Sequence, residues 1–113
     1  MKTRGRLADL EVTERFPGVM VRTFESEKAT VNRYEFAPGA TFPRHHHVQE
    51  QITMVEEGQI VFATDDGDEV IAAGEWRIVG PDIPHRVTAG DGGARVTAVL
   101  VPRRGDTPVT VQE

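Results

Sequence analysis

Four histidines are the residues of this sequence whose type and spacing could do chemistry. His45, His46 and His47 are consecutive, and His85 stands alone. On an extended strand, residues two apart point to the same side, so His45 and His47 share a face and His46 takes the other. Gln51 has the same parity as His45 and His47. Neutral imidazole is a common ligand of first-row metals. A metal site is therefore suggested by four side chains, those of His45, His47, Gln51 and His85. It requires that the fold bring His85 to the other three.

Each of these residues also has a less specific interpretation. The consecutive histidines could be a solvated cluster that binds metal only nonspecifically. The opposite parity of His46 favours a place in solvent or in the packing around the site over direct ligation. Glu50 is the alternative to Gln51, because a local β-bulge could turn it inward. Parity and the spacing to Gly58 favour Gln51.

Composition narrows the class of protein. A chain of 113 residues, 38% hydrophobic and 27% charged, is expected to form one compact domain over residues 1–113. It has no cysteine, which excludes disulfides, thiol nucleophiles and thiolate ligands, so a metal site would have only nitrogen and oxygen donors. The net charge is −5, and eight acids without a single Lys or Arg lie between Glu50 and Glu75. Such a chain would repel polyphosphate, which argues against nucleic acid as a partner.

The sequence predicts neither a membrane span nor an export signal. No stretch approaches the roughly 18 uninterrupted apolar residues that a transmembrane helix needs. Met1 to Leu10 lacks the apolar run of a signal peptide. We therefore expect a cytoplasmic protein with no membrane partner.

Glycines and prolines fall at short intervals between apolar runs, a pattern typical of a small all-β barrel or sandwich. Pro17-Gly18 and Pro38-Gly39 predict turns, and Asp65 to Asp68 predicts a hairpin. The only helix candidate, Leu7 to Glu14, is equally compatible with a peripheral strand. We predict strands over Glu11–Phe16, Val19–Phe24, Thr30–Ala37, Gln51–Glu56, Gln59–Thr64, Glu69–Ala72, Arg77–Val79, His85–Thr88 and Arg95–Val101.

Two segments resemble the signatures of the cupin superfamily. From Gly39 to Gly58 the chain has a glycine, five residues, His-x-His, three residues, a glutamine, six residues and a glycine. Gly74 to His85 is similar to the second signature, in which a glycine-led strand reaches a proline turn and a metal-binding histidine. The second match is looser, because Asp82 stands where a turn glycine is usual and no asparagine follows the histidine.

The resemblance implies a double-stranded β-helix, or jelly-roll, barrel that often forms homodimers. It also implies that one divalent transition metal (Zn, Ni, Mn, Fe or Cu) is held by His45, His47, Gln51 and His85. The chain resembles small single-domain members with His-x-His-x-x-x-Gln, among them the pectin-degradation proteins that linearise unsaturated uronates. Those proteins carry an acid in the last strand, where this chain has Ala98.

Three functions are compatible with this pattern, and the fold alone does not choose among them. The first is a metal-dependent enzyme that polarises a carbonyl or enolate of a small oxygenated substrate, such as a sugar acid or keto acid. The amide of Gln51 in place of a carboxylate would leave the full charge of the ion and make it a stronger electrophile. The second is a metal-dependent dioxygenase. The third is a non-catalytic module that binds a small molecule or a metal.

Several further side chains are candidates for supporting roles. Tyr34 and Glu35 could transfer protons, although their facing is ambiguous. Residues 1–16 could be exchanged in a homodimer, with an edge strand from Leu7 to Phe16 pairing across the interface. A guanidinium could bind a substrate carboxylate, and the candidates are Arg44, Arg77 and Arg86. Large apolar side chains could line a pocket or form plain core: Phe36, Phe42, Met54, Phe62 and Trp76.

Overall fold

The computed structural model describes residues 2–105, 107 and 109–112, and nearly all of its regular structure is β-strand. A short 3-10 turn, Leu7–Asp9, comes first. The strands are β1 (Thr13–Phe16), β2 (Val19–Glu25), β3 (Thr30–Phe36), β4 (Thr41–His46), β5 (Glu50–Thr64), β6 (Gly67–Ala72), β7 (Trp76–Val79), β8 (His85–Val101) and β9 (Thr110–Val111). The described residues include no helix that is long and apolar enough to cross a membrane.

The two long strands, β5 and β8, hold the fold together. They pair with each other antiparallel over almost their whole length. The first half of β5 also pairs with β7, and its second half pairs with β6. The first half of β8 pairs with β4, and its second half pairs with β3. The sheet therefore curls into two facing layers that share these strands, as the predicted jelly-roll barrel requires.

The bend between the layers depends on glycine. The register of β5 against β8 shifts on both sides of Gly58, and such bulges bend a strand. Gly58 has φ 70° and Gly93 has φ 75°, a region that L-residues with side chains rarely occupy. A Cβ on Gly58 would lie 2.1 Å from the carbonyl oxygen of Gly93. Only glycine fits at this crossing.

The predicted strands mostly agree with the structure, and the differences have physical reasons. β1, β2, β3, β6 and β7 lie within two residues of the expected bounds. The prediction was wrong in dividing β5 and β8, because glycines that looked like breaks are bulges within continuous strands. An edge strand from Leu7 to Phe16 was also wrong over its first half, where the 3-10 turn precedes β1. β4 and β9 were not predicted as separate strands.

The predicted turns are confirmed. Gly18 and Gly39 have φ of 78° and 71°, as the two Pro-Gly turns require. Thr64 pairs with Gly67, so Asp65 and Asp66 form the two-residue loop of the β5–β6 hairpin.

The core lies between the two layers. Phe36, Phe42 and Phe62 are buried there, as expected. Met54 and Trp76 are not: their side chains are 38% and 67% exposed. These two residues are partners across β5 and β7, on the outer face of the sheet. The expectation that they line a pocket or the core was therefore wrong, because the parity of each strand turns them outward.

Candidate metal centre

Three of the four predicted metal ligands converge inside the barrel. His45 on β4 and His85 at the start of β8 are direct partners across these strands, with ring centroids 4.2 Å apart. His47 follows β4, and its ring lies 5.3 Å from that of His85. One ring nitrogen from each histidine lies within 4.8 Å of the others, and no side chain of the three is more than 5% exposed. This group of three histidines could hold a metal ion.

The two other candidate ligands, His46 and Glu50, lie away from the three histidines. The ring of His46 is half-buried on the other side of the strand, with its Nδ1 atom 3.7 Å from a carboxylate oxygen of Asp82. Glu50 is exposed. The structure therefore places both residues outside the histidine group, as parity indicates.

Backbone carbonyls fix the orientation of all three rings. The Nδ1 atoms of His45, His47 and His85 lie 2.7, 3.1 and 2.8 Å from backbone oxygens. These carbonyls belong to residues two positions away along the chain: Pro43, Gln49 and Ile83. A carbonyl only accepts hydrogen bonds, so the neutral rings of His45 and His85 carry their proton on Nδ1 and keep a lone pair on Nε2. Hydrogen bonding of this kind orients metal-binding histidines in proteins.

The free nitrogens have few other partners. The Nε2 atom of His85 is buried and has no hydrogen-bond partner among the described residues. The Nε2 atom of His47 faces the side-chain oxygen of Gln51 at 3.0 Å. His47 thus has an acceptor at each ring nitrogen, although a neutral imidazole has only one proton to donate. A cation beside Nε2 would satisfy both lone pairs, so the donor set fits a divalent metal.

Burial keeps these imidazoles neutral. It lowers the pKa of His45 to about 3, and the neighbouring His85 acts in the same direction. Burial lowers the pKa of His85 to about 4 and also lowers the pKa of His47. Neutral imidazole is the form that binds metal, so protons compete little for this group near neutral pH.

The histidine group is wider than one bound ion requires. Imidazole binds zinc at about 2.1 Å, so two nitrogens on one tetrahedral ion are about 3.4 Å apart. Nitrogens at the present limit of 4.8 Å would have to approach each other by about 1.4 Å. Ring packing restricts larger movement, because Phe42 lies 4.2 Å from the ring of His45 and Phe62 stacks on His85 at 5.4 Å.

A small cavity adjoins His45 and Gln51. Its volume of about 20 Å³ is enough for roughly one water molecule. Its lining is mostly apolar: Tyr34, Phe36, Phe42, His45, Gln51, Thr53, Val87, Val96 and Ala98. None of these described lining residues carries a carboxylate.

The structure decides between the two proton-transfer candidates. Tyr34 faces inward and lines the cavity, whereas Glu35 is exposed on the other face of β3. Asn32 donates a hydrogen bond to the Tyr34 hydroxyl at 3.3 Å, which leaves the phenolic proton free to be donated. Burial raises the pKa of Tyr34 to about 12, so this phenol stays neutral.

The arginines proposed from the sequence do not line the cavity. Arg44 pairs with Asp65 at 2.6 Å, and Arg77 pairs with Glu69 at 2.8 Å. Arg86 is exposed, on the opposite face from the adjacent His85. None of the three therefore faces the histidine group in the way that a carboxylate clamp would need.

Sequence reasoning missed Arg104, which lines a separate groove of about 690 Å³. Thr23, Thr30 and Asn32 line the same groove, and Asn32 connects it to Tyr34 at the cavity. Burial lowers the pKa of Arg104, and its positive charge acts on Tyr34. No spacing in the sequence indicates this position, because Arg104 follows β8 in a segment without regular structure.

Comparison with known proteins gives the family. A model of the cupin domain matches residues 32–101. No curated protein matches the chain. An RmlC-like cupin from Shewanella frigidimarina has a similar structure, with a TM-score of 0.85, 20% identity, and coverage of 94% of this chain and 96% of that one.

Two further solved structures have the same fold. KdgF from a Halomonas species has a TM-score of 0.84 at 18% identity, over 94% of this chain and 98% of that one. The polyketide cyclase RemF from Streptomyces resistomycificus has a TM-score of 0.79 at 22% identity, over 100% of this chain and 87% of that one. The family match covers more than half of the sequence, and the fold agrees throughout, so this chain belongs to the cupin family.

Proposed function

We propose that this cupin is a metal-dependent enzyme whose divalent ion is bound by His45, His47, Gln51 and His85. One observation carries the proposal: three buried imidazoles, each with Nδ1 beside a backbone carbonyl, offer one ring nitrogen each within 4.8 Å of the others. Zn, Ni, Mn, Fe and Cu all suit this donor set of nitrogen and oxygen.

The donor set favours a substrate that offers an oxygen atom with negative charge. Three neutral imidazoles and an amide do not offset the charge of a divalent ion, unlike a site with a carboxylate. When bound, the ion supplies Lewis acidity toward a carbonyl or enolate oxygen. The proposed substrate is therefore a small oxygenated molecule such as a sugar acid or keto acid.

Two residues of the chain support this substrate class. Tyr34 lines the cavity next to His45 as a neutral phenol and can donate its proton to a substrate oxygen. Arg104 lines the separate groove that Asn32 connects to Tyr34, and its guanidinium can bind a carboxylate. Ala98 contributes only a methyl group to the cavity, so a uronate reaction would lack an acid at this position.

Metal analysis tests the proposal. The chain is purified without a histidine tag, and its metal content is compared with those of His45→Ala, His85→Ala and the matched control His46→Ala. We expect one divalent ion per chain in the parent and in His46→Ala, and loss of most of it in the other two variants. A parent protein that holds almost no metal after loading with several divalent ions would refute the proposal.

Substrate tests separate the proposed activity from its alternatives. Sugar acids and keto acids are incubated with the metal-loaded protein and followed by NMR, and unsaturated galacturonate is followed by its absorbance. The three-imidazole group also suits Fe(II), which favours the dioxygenase alternative; oxygen consumption with candidate diketones and flavonols would support it. The non-catalytic alternative predicts tight binding of a metal or a small molecule without turnover.

We also propose that the protein is a homodimer. Met54, Trp76 and Ile78 are exposed on neighbouring strands and form an apolar surface that a second copy could cover. β1 pairs only with β2 among the described strands, so exchange of residues 1–16 stays a prediction. Analytical ultracentrifugation tests the dimer, and a monomer at micromolar concentration would contradict it.

A cytoplasmic location likewise stays a prediction, which cell fractionation would check.

A further inference from the structure

We infer that Thr53 is a positioning residue, whose hydroxyl holds the Gln51 amide with its oxygen toward the three imidazoles. The inference rests on the proposed metal site and extends it to a residue that touches no ion. Gln51 and Thr53 are two apart on β5 and share its inward face, where their side chains are 8% and 1% exposed. The amide nitrogen of Gln51 donates to the Thr53 hydroxyl at 3.0 Å, and the amide oxygen lies 3.0 Å from the Nε2 atom of His47.

The two ends of an amide are not equivalent toward a cation. Its oxygen has lone pairs that can bind a metal, and its NH₂ group has only donors. A carboxylate in this place would bind equally well through either oxygen. A glutamine ligand therefore needs an acceptor for its NH₂ group when its oxygen faces the ion, and Thr53 provides one.

The surroundings leave few other partners for the amide nitrogen. On β8, Gln51 is opposite Leu100 and Thr53 is opposite Ala98, and both of these residues are buried. A buried donor without a partner costs about 1–3 kcal/mol. Loss of the Thr53 hydroxyl therefore leaves the NH₂ group without this partner whenever the amide oxygen faces the ion, which makes that orientation less favourable.

The same hydroxyl can serve both orientations of the amide. Without a cation, a His47 ring that carries its proton on Nδ1 would direct the lone pair of Nε2 at the lone pairs of the Gln51 oxygen, an unfavourable contact. If the amide turns over, its NH₂ group donates to His47, and the Thr53 hydroxyl donates to the amide oxygen instead of accepting. We therefore expect the Gln51 amide to turn over when the ion binds or leaves, with Thr53 as its partner in both states.

A double-mutant cycle tests the inference. Thr53→Val keeps the shape of the side chain but removes the hydroxyl, and Thr53→Ser keeps the hydroxyl. Each is made in the parent and in Gln51→Glu, and the dissociation constant for Zn²⁺ is measured by competition with a chromophoric chelator. We expect Thr53→Val to weaken binding about 10- to 100-fold in the parent, the usual range for residues that orient ligands, and Thr53→Ser to restore most of it. In Gln51→Glu, Thr53→Val should have little effect.

Each of the other possible outcomes would contradict either the role of Thr53 or the proposed metal site. If Thr53→Val binds Zn²⁺ as tightly as the parent, Thr53 does not position the amide. If the loss is equally large in Gln51→Glu, Thr53 acts through packing, and the inference is overturned. If the parent itself binds no metal, the proposed function fails, and the inference fails with it.

NMR of the parent protein provides a measurement that needs no variant. With Zn²⁺ bound, the side-chain NH₂ protons of Gln51 should show nuclear Overhauser effects to Thr53. After treatment with EDTA, they should show effects to the ring of His47. NH₂ protons that face His47 with the metal bound would overturn the inference.

Discussion

Lowering the pH should destabilise the metal-free protein steeply, because folding keeps its histidines neutral. In the unfolded chain a histidine has its ordinary pKa of 6.5, whereas burial lowers that of His45 to about 3 and that of His85 to about 4. Below the unfolded pKa, the unfolded state therefore binds more protons than the folded state. Stability then falls as the pH falls. The loss continues until the pH reaches the pKa values of the folded protein.

The magnitude follows from the same values. Between about pH 7.5 and about pH 5, each of these two histidines should cost about 2 kcal/mol, or about 4 kcal/mol together. His47 acts in the same direction, because burial lowers its pKa too. Domains are commonly stable by about 5–15 kcal/mol, so this loss is a large share of the total. A bound divalent ion should oppose it, since it binds the folded state.

Urea unfolding followed by circular dichroism measures this effect. The protein is treated with EDTA, and its free energy of unfolding is determined at several values between these two pH limits. His85→Phe serves as the comparison, because it keeps a ring against Phe62 but cannot titrate. We expect its pH slope to be about one half to two thirds that of the parent, since one of the three histidines with a lowered pKa has been removed.

Two results would refute the reasoning. A free energy of unfolding that stays constant from neutral pH to about pH 5 would mean that the histidines are not held neutral by burial. A slope in His85→Phe equal to that of the parent would mean that other groups cause the effect.

Three further predictions concern the bend, the cavity and the surface. Gly58→Ala should destabilise the protein by more than the about 1–2 kcal/mol expected for the left-handed backbone alone, whereas Gly39→Ala should cost only that amount, because its Cβ would meet no atom within 4 Å; thermal unfolding compares them. Tyr34→Phe should lower kcat on a reactive sugar acid or keto acid about 100-fold or more without changing metal content, and equal kcat would exclude proton donation. Trp76→Glu should shift a dimer toward monomer in sedimentation while leaving the fold unchanged by circular dichroism.

Parts of the fold were predictable because they depend on local chemistry. The Pro-Gly turns and the hairpin at Asp65 and Asp66 are fixed by residues that favour particular backbone angles. The continuity of β5 and β8 was not predictable, because a glycine that ends a strand and a glycine in a bulge look alike in sequence. Gly58 is needed for the close approach of Gly93, and only the folded chain shows that contact.

The candidate site, like the fold, was only partly predictable from the sequence. Parity and motif predicted which histidines face inward, and the structure brings His45, His47 and His85 together with Gln51 beside them. Parity could not place Tyr34, because its strand could have presented either face to the core. The position of Arg104 beside the groove could not be predicted from the sequence, since it depends on how the chain turns after β8.

The bend of the long strands explains why such distant residues meet. Along the β5–β8 pair, Gln51 lies beside Leu100, whereas the far end of β5, at Ala63, lies beside Arg86, next to His85. In a flat sheet, Gln51 and His85 would therefore be at opposite ends. The bulges at Gly58 fold the two halves of β5 and β8 into facing layers, so that Gln51 on one layer approaches the histidines on the other. Packing at this bend, remote from the histidines, thus controls the distance between the two halves of the proposed metal site.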